Sequence, residues 1–121
     1  MAARGSSKDR SVRQEEYVAS RFPSAKRSPS SGAAVSDQGD VRNHQYLIEC
    51  KVRGQYDKPA KSISISMEDL AKITDEAWSE GKEPLMALRI IADPAHPLAD
   101  RDGHIDLIVT TLDHFMDPRY A

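Results

Sequence analysis

Residues 39–52 read GDVRNHQYLIECKV, and this stretch decides how the rest of the chain is interpreted. Tyr46 to Val52 is a compact, mostly apolar segment of the kind that forms a strand. The short polar stretch before it predicts a hairpin that brings the chain back from Asp40. Glu49 and Lys51 stand two residues apart, so on a strand both side chains leave the same face. The pattern therefore predicts a carboxylate and an ammonium group side by side.

Asp40, Glu49 and Lys51 together predict a hydrolytic metal site. A hairpin over the nine residues from Asp40 to Glu49 can place the two carboxylates side by side, as oxygen ligands for a hard divalent cation. Charged side chains inside an apolar strand cost free energy unless they have a partner or a metal. Lys51 would lie close to a bound phosphate, where it can orient a water molecule and balance developing negative charge.

The length and composition of the chain predict one domain. With 121 residues it can bury a single modest core and is too short for two. We assign residues 1–10 to a basic, flexible arm and residues 11–121 to the domain. The single Cys50 excludes an internal disulfide and a zinc site built on several cysteines. No apolar run approaches the roughly 18 residues of a membrane span, and the N-terminal residues lack the apolar stretch of a secretory signal, so we expect a cytoplasmic protein that does not contact membranes.

The net charge of −2 conceals a basic N-terminal region. Residues 1–30 carry seven Lys and Arg side chains against three acidic ones. A basic arm beside an acidic remainder suits a protein that holds phosphates with one and a divalent metal with the other. A solvated tail is the alternative interpretation.

Helix and strand signals alternate along the chain and predict an α/β fold. Helices are predicted over 12–22, capped by Ser11 and Gln14, and over 67–78, capped by Ser66 and Asp69 and stopped by Gly81. Residues 62–66 alternate polar and apolar side chains and predict a half-buried strand, and further strands are predicted over 85–92 and 105–112. The run at 85–91 is apolar on both faces, which favours a mixed sheet covered by helices on both sides. Trp78 is expected in the core.

The motifs resemble the PD-(D/E)XK nuclease core. Gly39-Asp40-Val41 matches its first acid, although the usual Pro is Gly39 here, and Glu49-Cys50-Lys51 matches its E-X-K strand. Within that superfamily the chain most resembles the small archaeal-type Holliday junction resolvases, which begin with a helix that carries a catalytic Glu. Glu15, the Ser/Gly-rich loop at 27–32 and the helix at 67–78 match the rest of that pattern, so the resemblance covers roughly residues 11 to 92.

The resemblance implies a restriction-endonuclease-like mixed β-sheet flanked by helices, an Mg²⁺ or Mn²⁺ cofactor, and a homodimer that cuts branched DNA at four-way junctions. It makes Glu15, Asp40, Glu49 and Lys51 catalytic, with the metal held by Asp40, Glu49, Glu15 and the backbone carbonyl of Cys50. Glu16 competes for the helix position, and Glu15 is preferred because it shares a helix side with Val18 and Phe22. A phage-encoded member of this family would act in the host cytoplasm.

Polar side chains around this core are candidate contacts to the DNA backbone, with surface solvation as the alternative for each. They are Arg13, Arg21, Lys26, Arg27, Ser31, Arg53, Lys58 and Lys61. His104 and Asp106 alternate on the last predicted strand, but no third metal ligand has plausible spacing, so we expect solvated side chains there.

Two other functions remain open. One is a different PD-(D/E)XK nuclease, of the VRR type or one that trims ends or cuts mismatched DNA. The other is a nucleic-acid-binding protein with the nuclease fold and no activity, for which a missing acid would be the signature. The presence of Asp40, Glu49 and Lys51 argues against the second.

Overall fold

A five-stranded mixed sheet with helices on both faces forms the protein, which confirms the predicted α/β class. The computed structural model describes residues 7–28 and 39–117. The elements are α1 (Ser7–Arg21), β1 (Lys26–Arg27), β2 (Val41–Arg42), β3 (Tyr46–Arg53), α2 (Met67–Ser79), β4 (Glu83–Ile91), β5 (His104–Val109) and α3 (Leu112–Met116). The strands lie in chain order, β3 and β4 are parallel through the α2 crossover, and the other neighbours are antiparallel.

Neighbouring side chains of β3 pack on opposite faces of the sheet. Ile48 packs with Val18 of α1, whereas Leu47 packs with Ile73 and Ala77 of α2. Because side chains alternate along a strand, Glu49 and Lys51 follow Leu47 onto the α2 face, and Cys50 follows Ile48 onto the α1 face. The α2 face of β3 therefore carries the charged pair.

Helix α1 begins at Ser7, so the predicted start at Val12 with Ser11 as its cap is wrong, and residues 7–10 belong to the helix rather than to the arm. Gln14 does not cap the helix. Its side chain is 1% exposed, and its Nε2 donates to the carbonyl oxygens of Lys51 at 2.9 Å and Ala87 at 3.0 Å. This amide ties α1 to both central strands of the sheet.

Helix α2 is confirmed with its cap, because the Asp69 N–H donates to Ser66 Oγ at 3.2 Å. The predicted strand at 62–66 is wrong. This segment makes no strand pairing, since β2 and β4 already occupy both edges of β3. Trp78 is also not in the core and is 68% exposed. It follows the inward-facing Ala77 by one residue, which turns it about 100° around the helix.

The last strand ends at Val109 rather than at residue 112. Leu112 instead begins α3, a short helix that the sequence analysis did not predict, and the His114 N–H donates to Thr111 Oγ1 at its N-cap. Within residues 7–28 and 39–117, no helix combines the length and the apolar character that a membrane span requires.

Candidate active site

Asp40 lies where the pairing of β2 with β3 ends. Its N–H donates to the carbonyl oxygen of Ile48 at 2.8 Å, and its Oδ2 accepts the N–H of Cys50, also at 2.8 Å. The Asp40 side chain thus accepts a hydrogen bond from β3 just beyond the last backbone pairing between β2 and β3. The preceding Gly39 has φ +67°, and a Cβ there would lie 2.7 Å from the Leu47 side chain. Glycine at this position lets the hairpin bring the carboxylate against β3.

Glu49 and Lys51 point from β3 toward the first turns of α2. Lys51 Nζ lies 3.4 Å from Glu49 Oε2 and 3.6 Å from Asp69 Oδ2. The Glu49 residue is buried, whereas Lys51 and Asp69 are partly exposed. The ammonium group is therefore held between one carboxylate from the strand and one from the helix, on the side that solvent reaches.

Glu15 approaches Asp40 from the α1 side of the sheet. It is buried, and its Oε1 accepts from Arg27 Nε at 3.0 Å. Burial raises the pKa of the Glu15 carboxyl, the hydrogen bond from Arg27 lowers it, and the negative charge of Asp40 raises it again. Glu16 is exposed and lines a different cleft. The structure thus brings Glu15, and not Glu16, into the electrostatic range of Asp40.

The charge of Asp40 acts on both Glu15 and Glu49, and all three carboxylates act on the Cys50 thiol near them. Burial and then the charge of Asp40 raise the pKa of Glu49, while Lys51 and Lys72 lower it. The pKa of the Cys50 thiol is raised by burial and by all three carboxylates, so Cys50 stays protonated and is no nucleophile. A bound cation would relieve the repulsion among these acids.

The predicted DNA contacts are placed unevenly. Arg13 pairs with Asp9 at 3.0 Å. Arg27 pairs with Glu15, so its guanidinium contacts one of the candidate catalytic carboxylates. Arg53 Nη1 donates to the carbonyl oxygen of Val52. The remaining candidates are exposed or lie outside the described residues: Arg21, Lys26, Lys58 and Lys61 are exposed, and Ser31 is outside.

A second group on the opposite edge of the sheet could hold a metal ion. Ligand atoms of Asp100, Asp102 and His104 all lie within 4.8 Å of one another. The expectation that His104 has no third ligand is therefore wrong, because its partners come from the turn before β5, and Asp106 pairs with Arg89 instead. Asp100 Oδ1 already accepts the N–H groups of Asp102 and His104, both at 2.9 Å.

Sequence reasoning missed the contribution of α2 to the site around Lys51. Asp69 was interpreted only as part of the helix cap, and Lys72 was not singled out. Asp69 stands four and eight residues before Ile73 and Ala77, the buried positions of α2. An acid on the inward stripe of an amphipathic helix is the signal that could have placed it at the site.

Comparison with family models, with curated proteins and with solved structures gives no match. Function therefore has to be inferred from the residues. The charge of Asp40 raises the pKa of the buried Glu15 and Glu49 carboxyls, and the Lys51 ammonium group lies between Glu49 and Asp69. A group of acids beside a lysine is suited to a divalent cation and a phosphate.

Proposed function

We propose that this protein is a metal-dependent DNA endonuclease that resolves four-way junctions, with Glu15, Asp40, Glu49 and Lys51 as its catalytic residues. The observation that carries the proposal is the position of Asp40. Its carboxylate accepts the N–H of Cys50, between Glu49 and Lys51 on β3, and its charge raises the pKa of Glu15 on α1 and of Glu49 on β3. The choice of a junction as substrate depends on the resemblance of this sequence to the archaeal-type resolvases.

The donor set fits a hard cation, because carboxylate and carbonyl oxygens suit Mg²⁺ or Mn²⁺. Asp40, Glu49, Glu15 and the backbone carbonyl of Cys50 would hold the ion. When bound, it would polarise the scissile phosphate and lower the pKa of a coordinated water. The Cys50 side chain points to the α1 face together with Ile48, away from Glu49 and Lys51.

The protein's own groups orient the reactants. Arg27 holds the Glu15 carboxylate through a hydrogen bond of 3.0 Å. Glu49 and Asp69 hold the Lys51 ammonium group on the accessible side of β3. Lys51 can there donate to a phosphate oxygen and balance the negative charge that develops during attack. Because these groups are positioned before substrate binds, little reorganisation is needed in the transition state.

Paired cuts in a symmetric junction require two copies of the site, so the proposal includes a homodimer. Exposed apolar side chains of α2 and α3 supply a surface that a second copy could cover. Met67, Trp78, Leu112, Phe115 and Met116 are each at least 66% exposed. A protein that stays monomeric at micromolar concentration in analytical ultracentrifugation would count against coordinated resolution.

The test is a panel of labelled substrates: a synthetic four-way junction, a Y-fork, a linear duplex with and without a mismatch, and single strands, each with Mg²⁺ or with EDTA. We expect symmetric nicks in the junction with Mg²⁺ only, leaving 5′-phosphate and 3′-hydroxyl ends. Preferred cutting of duplex ends or mismatches would assign the same residues to a VRR-type, end-trimming or mismatch nuclease. Absence of cutting with any divalent metal would refute the nuclease proposal.

Matched substitutions of the two neighbouring acids in α1 test the assignment of Glu15. Glu15→Gln should slow junction cleavage by about 10- to 100-fold, because the amide can still accept from Arg27 but no longer supplies a negative charge. Glu16→Gln removes the same charge from an exposed position and should leave the rate within about twofold. Single-turnover rates measured at saturating protein give the comparison. The assignment is wrong if the larger loss follows Glu16→Gln.

A further inference from the structure

A cleft at the end of β3 collects positive charge and lies beyond the proposed active site. Its volume is about 410 Å³, and its lining includes Arg10 from α1, Arg53 from β3 and Lys58 from the turn that follows. None of the described residues that line it is acidic. The cleft therefore presents three cations to one small space, in a chain whose net charge is negative.

These three cations lack carboxylate partners within residues 7–28 and 39–117. Elsewhere the protein neutralises its partly buried arginines, since Arg27, Arg42 and Arg89 each have a nitrogen within 3.0 Å of a carboxylate oxygen. Arg10 and Arg53 are half-buried as well. Unpaired positive charge is costly at such positions, and like charges around one cleft repel one another. An anion in the cleft would relieve both costs.

The backbone around the cleft is fixed by hydrogen bonds. Gln55 and Lys58 exchange two backbone hydrogen bonds of 3.1 and 3.0 Å, and the Ala60 N–H donates to the carbonyl oxygen of Ile91 at 2.8 Å. Gly54 has φ +91°, and a Cβ there would lie 2.6 Å from that same oxygen. The turn that carries Lys58 is thus tied back to β4, so the cleft exists before a ligand arrives.

We propose that this cleft binds a backbone phosphate of a nucleic-acid strand, next to the phosphate that is cut. That the bound phosphate lies next to the one that is cut rests on the proposed function. That the cleft binds an anion is argued from the charges around the cleft alone. Arg53 follows Lys51 on the same face of β3, about 7 Å further along the strand. Its planar guanidinium, with that of Arg10, suits phosphate oxygens, which accept two parallel hydrogen bonds from such a group. Arg10 was not among the residues expected to contact DNA.

The experiment measures equilibrium binding of the full chain to a labelled four-way junction in EDTA, over a series of salt concentrations. Arg10→Gln and Arg53→Gln should each weaken binding and reduce the slope of log affinity against log salt by about one, because each removes one phosphate contact. Arg101→Gln is the control for the loss of one charge, since Arg101 is exposed and does not line the cleft. We expect it to keep the parental slope.

The outcomes separate this proposal from the proposed function. If the slopes fall as expected while the parent cuts no DNA, the phosphate cleft stands and the nuclease proposal fails. If both variants keep the parental slope, the cleft proposal is wrong even when the parent resolves junctions. Thermal unfolding in the presence of inorganic phosphate, without DNA, tests whether the cleft binds a free phosphate ion instead of a DNA phosphate. Stabilisation of the parent that both variants lose, with no change in the DNA slope, would mean a free-anion site and would also overturn the proposal.

Discussion

Asp40→Asn should nearly abolish Mg²⁺-dependent DNA cleavage while preserving the fold. The substitution removes one anionic oxygen from the proposed metal site, and loss of a preorganised electrostatic group of this kind costs about 10²- to 10³-fold in rate. The Asn carbonyl oxygen can still accept the N–H of Cys50, which holds the hairpin in place. Single-turnover cleavage of a labelled junction at saturating protein and Mg²⁺ gives the measurement.

The stability of the same variant supplies the control. The charge of Asp40 raises the pKa of both Glu15 and Glu49. A carboxyl whose pKa is raised by folding destabilises the protein as the pH rises through that pKa, because the folded state then disfavours the ionised form. Without metal and near neutral pH, Asp40→Asn should therefore unfold at the same or a higher denaturant concentration than the parent.

Added Mg²⁺ should stabilise the parent against unfolding and have little effect on Asp40→Asn, since ligands that bind only the folded state raise its stability. An Asn variant that cuts at the parental rate would contradict the site. A variant that is less stable than the parent without metal would show instead that Asp40 is structural.

Asp106→Ala should cause the largest loss of stability among the surface charges of the protein. Arg89 lies in the apolar run of β4 with its side chain only 7% exposed, and its Nε and Nη2 donate to the Asp106 carboxylate at 2.9 and 3.1 Å. The ring of Tyr17 covers the guanidinium, with its centroid at 4.9 Å. Removing Asp106 leaves this cation buried and without its carboxylate, at a cost of about 3 kcal/mol.

Chemical denaturation of three proteins checks this expectation. Arg89→Met with Asp106→Leu replaces the ion pair by apolar side chains and should recover most of the stability that Asp106→Ala loses. The Asp106 side chain is 28% exposed, which places the expected loss at the lower end of the range for buried pairs. A loss below about 0.5 kcal/mol in Asp106→Ala would mean that solvent already screens the pair.

Local patterns in the sequence were enough to predict the central hairpin and α2. The hairpin that joins Asp40 to Glu49 depends on neighbours in the chain, and the Ser66 cap depends on a residue three positions away. Strand alternation likewise predicted that Glu49 and Lys51 share a face. These features depend only on residues that are close together in the chain, so they can be predicted from the sequence.

The features that could not be predicted depend on the packing of distant segments. Residues 62–66 have the alternation of a strand but find no free edge beside β3. The pairing of Lys51 with Asp69 needs the α2 crossover to fold back over β3. The pairing of Arg89 with Asp106 needs the register between β4 and β5. A residue's partner across the sheet is set by tertiary structure, which periodicity does not encode.

Sequence separation also sets the order in which the three acids can meet as the chain folds. Three residues separate β2 from β3, so the hairpin that joins Asp40 to Glu49 can close within about 1–10 μs. Glu15 follows Gln14, whose amide binds the backbones of both β3 and β4. Those strands pair only after the α2 crossover has closed, a slower step because the contact is long-range. We therefore expect Asp40 and Glu49 to come together early in folding, and Glu15 to reach them only when the native sheet has formed.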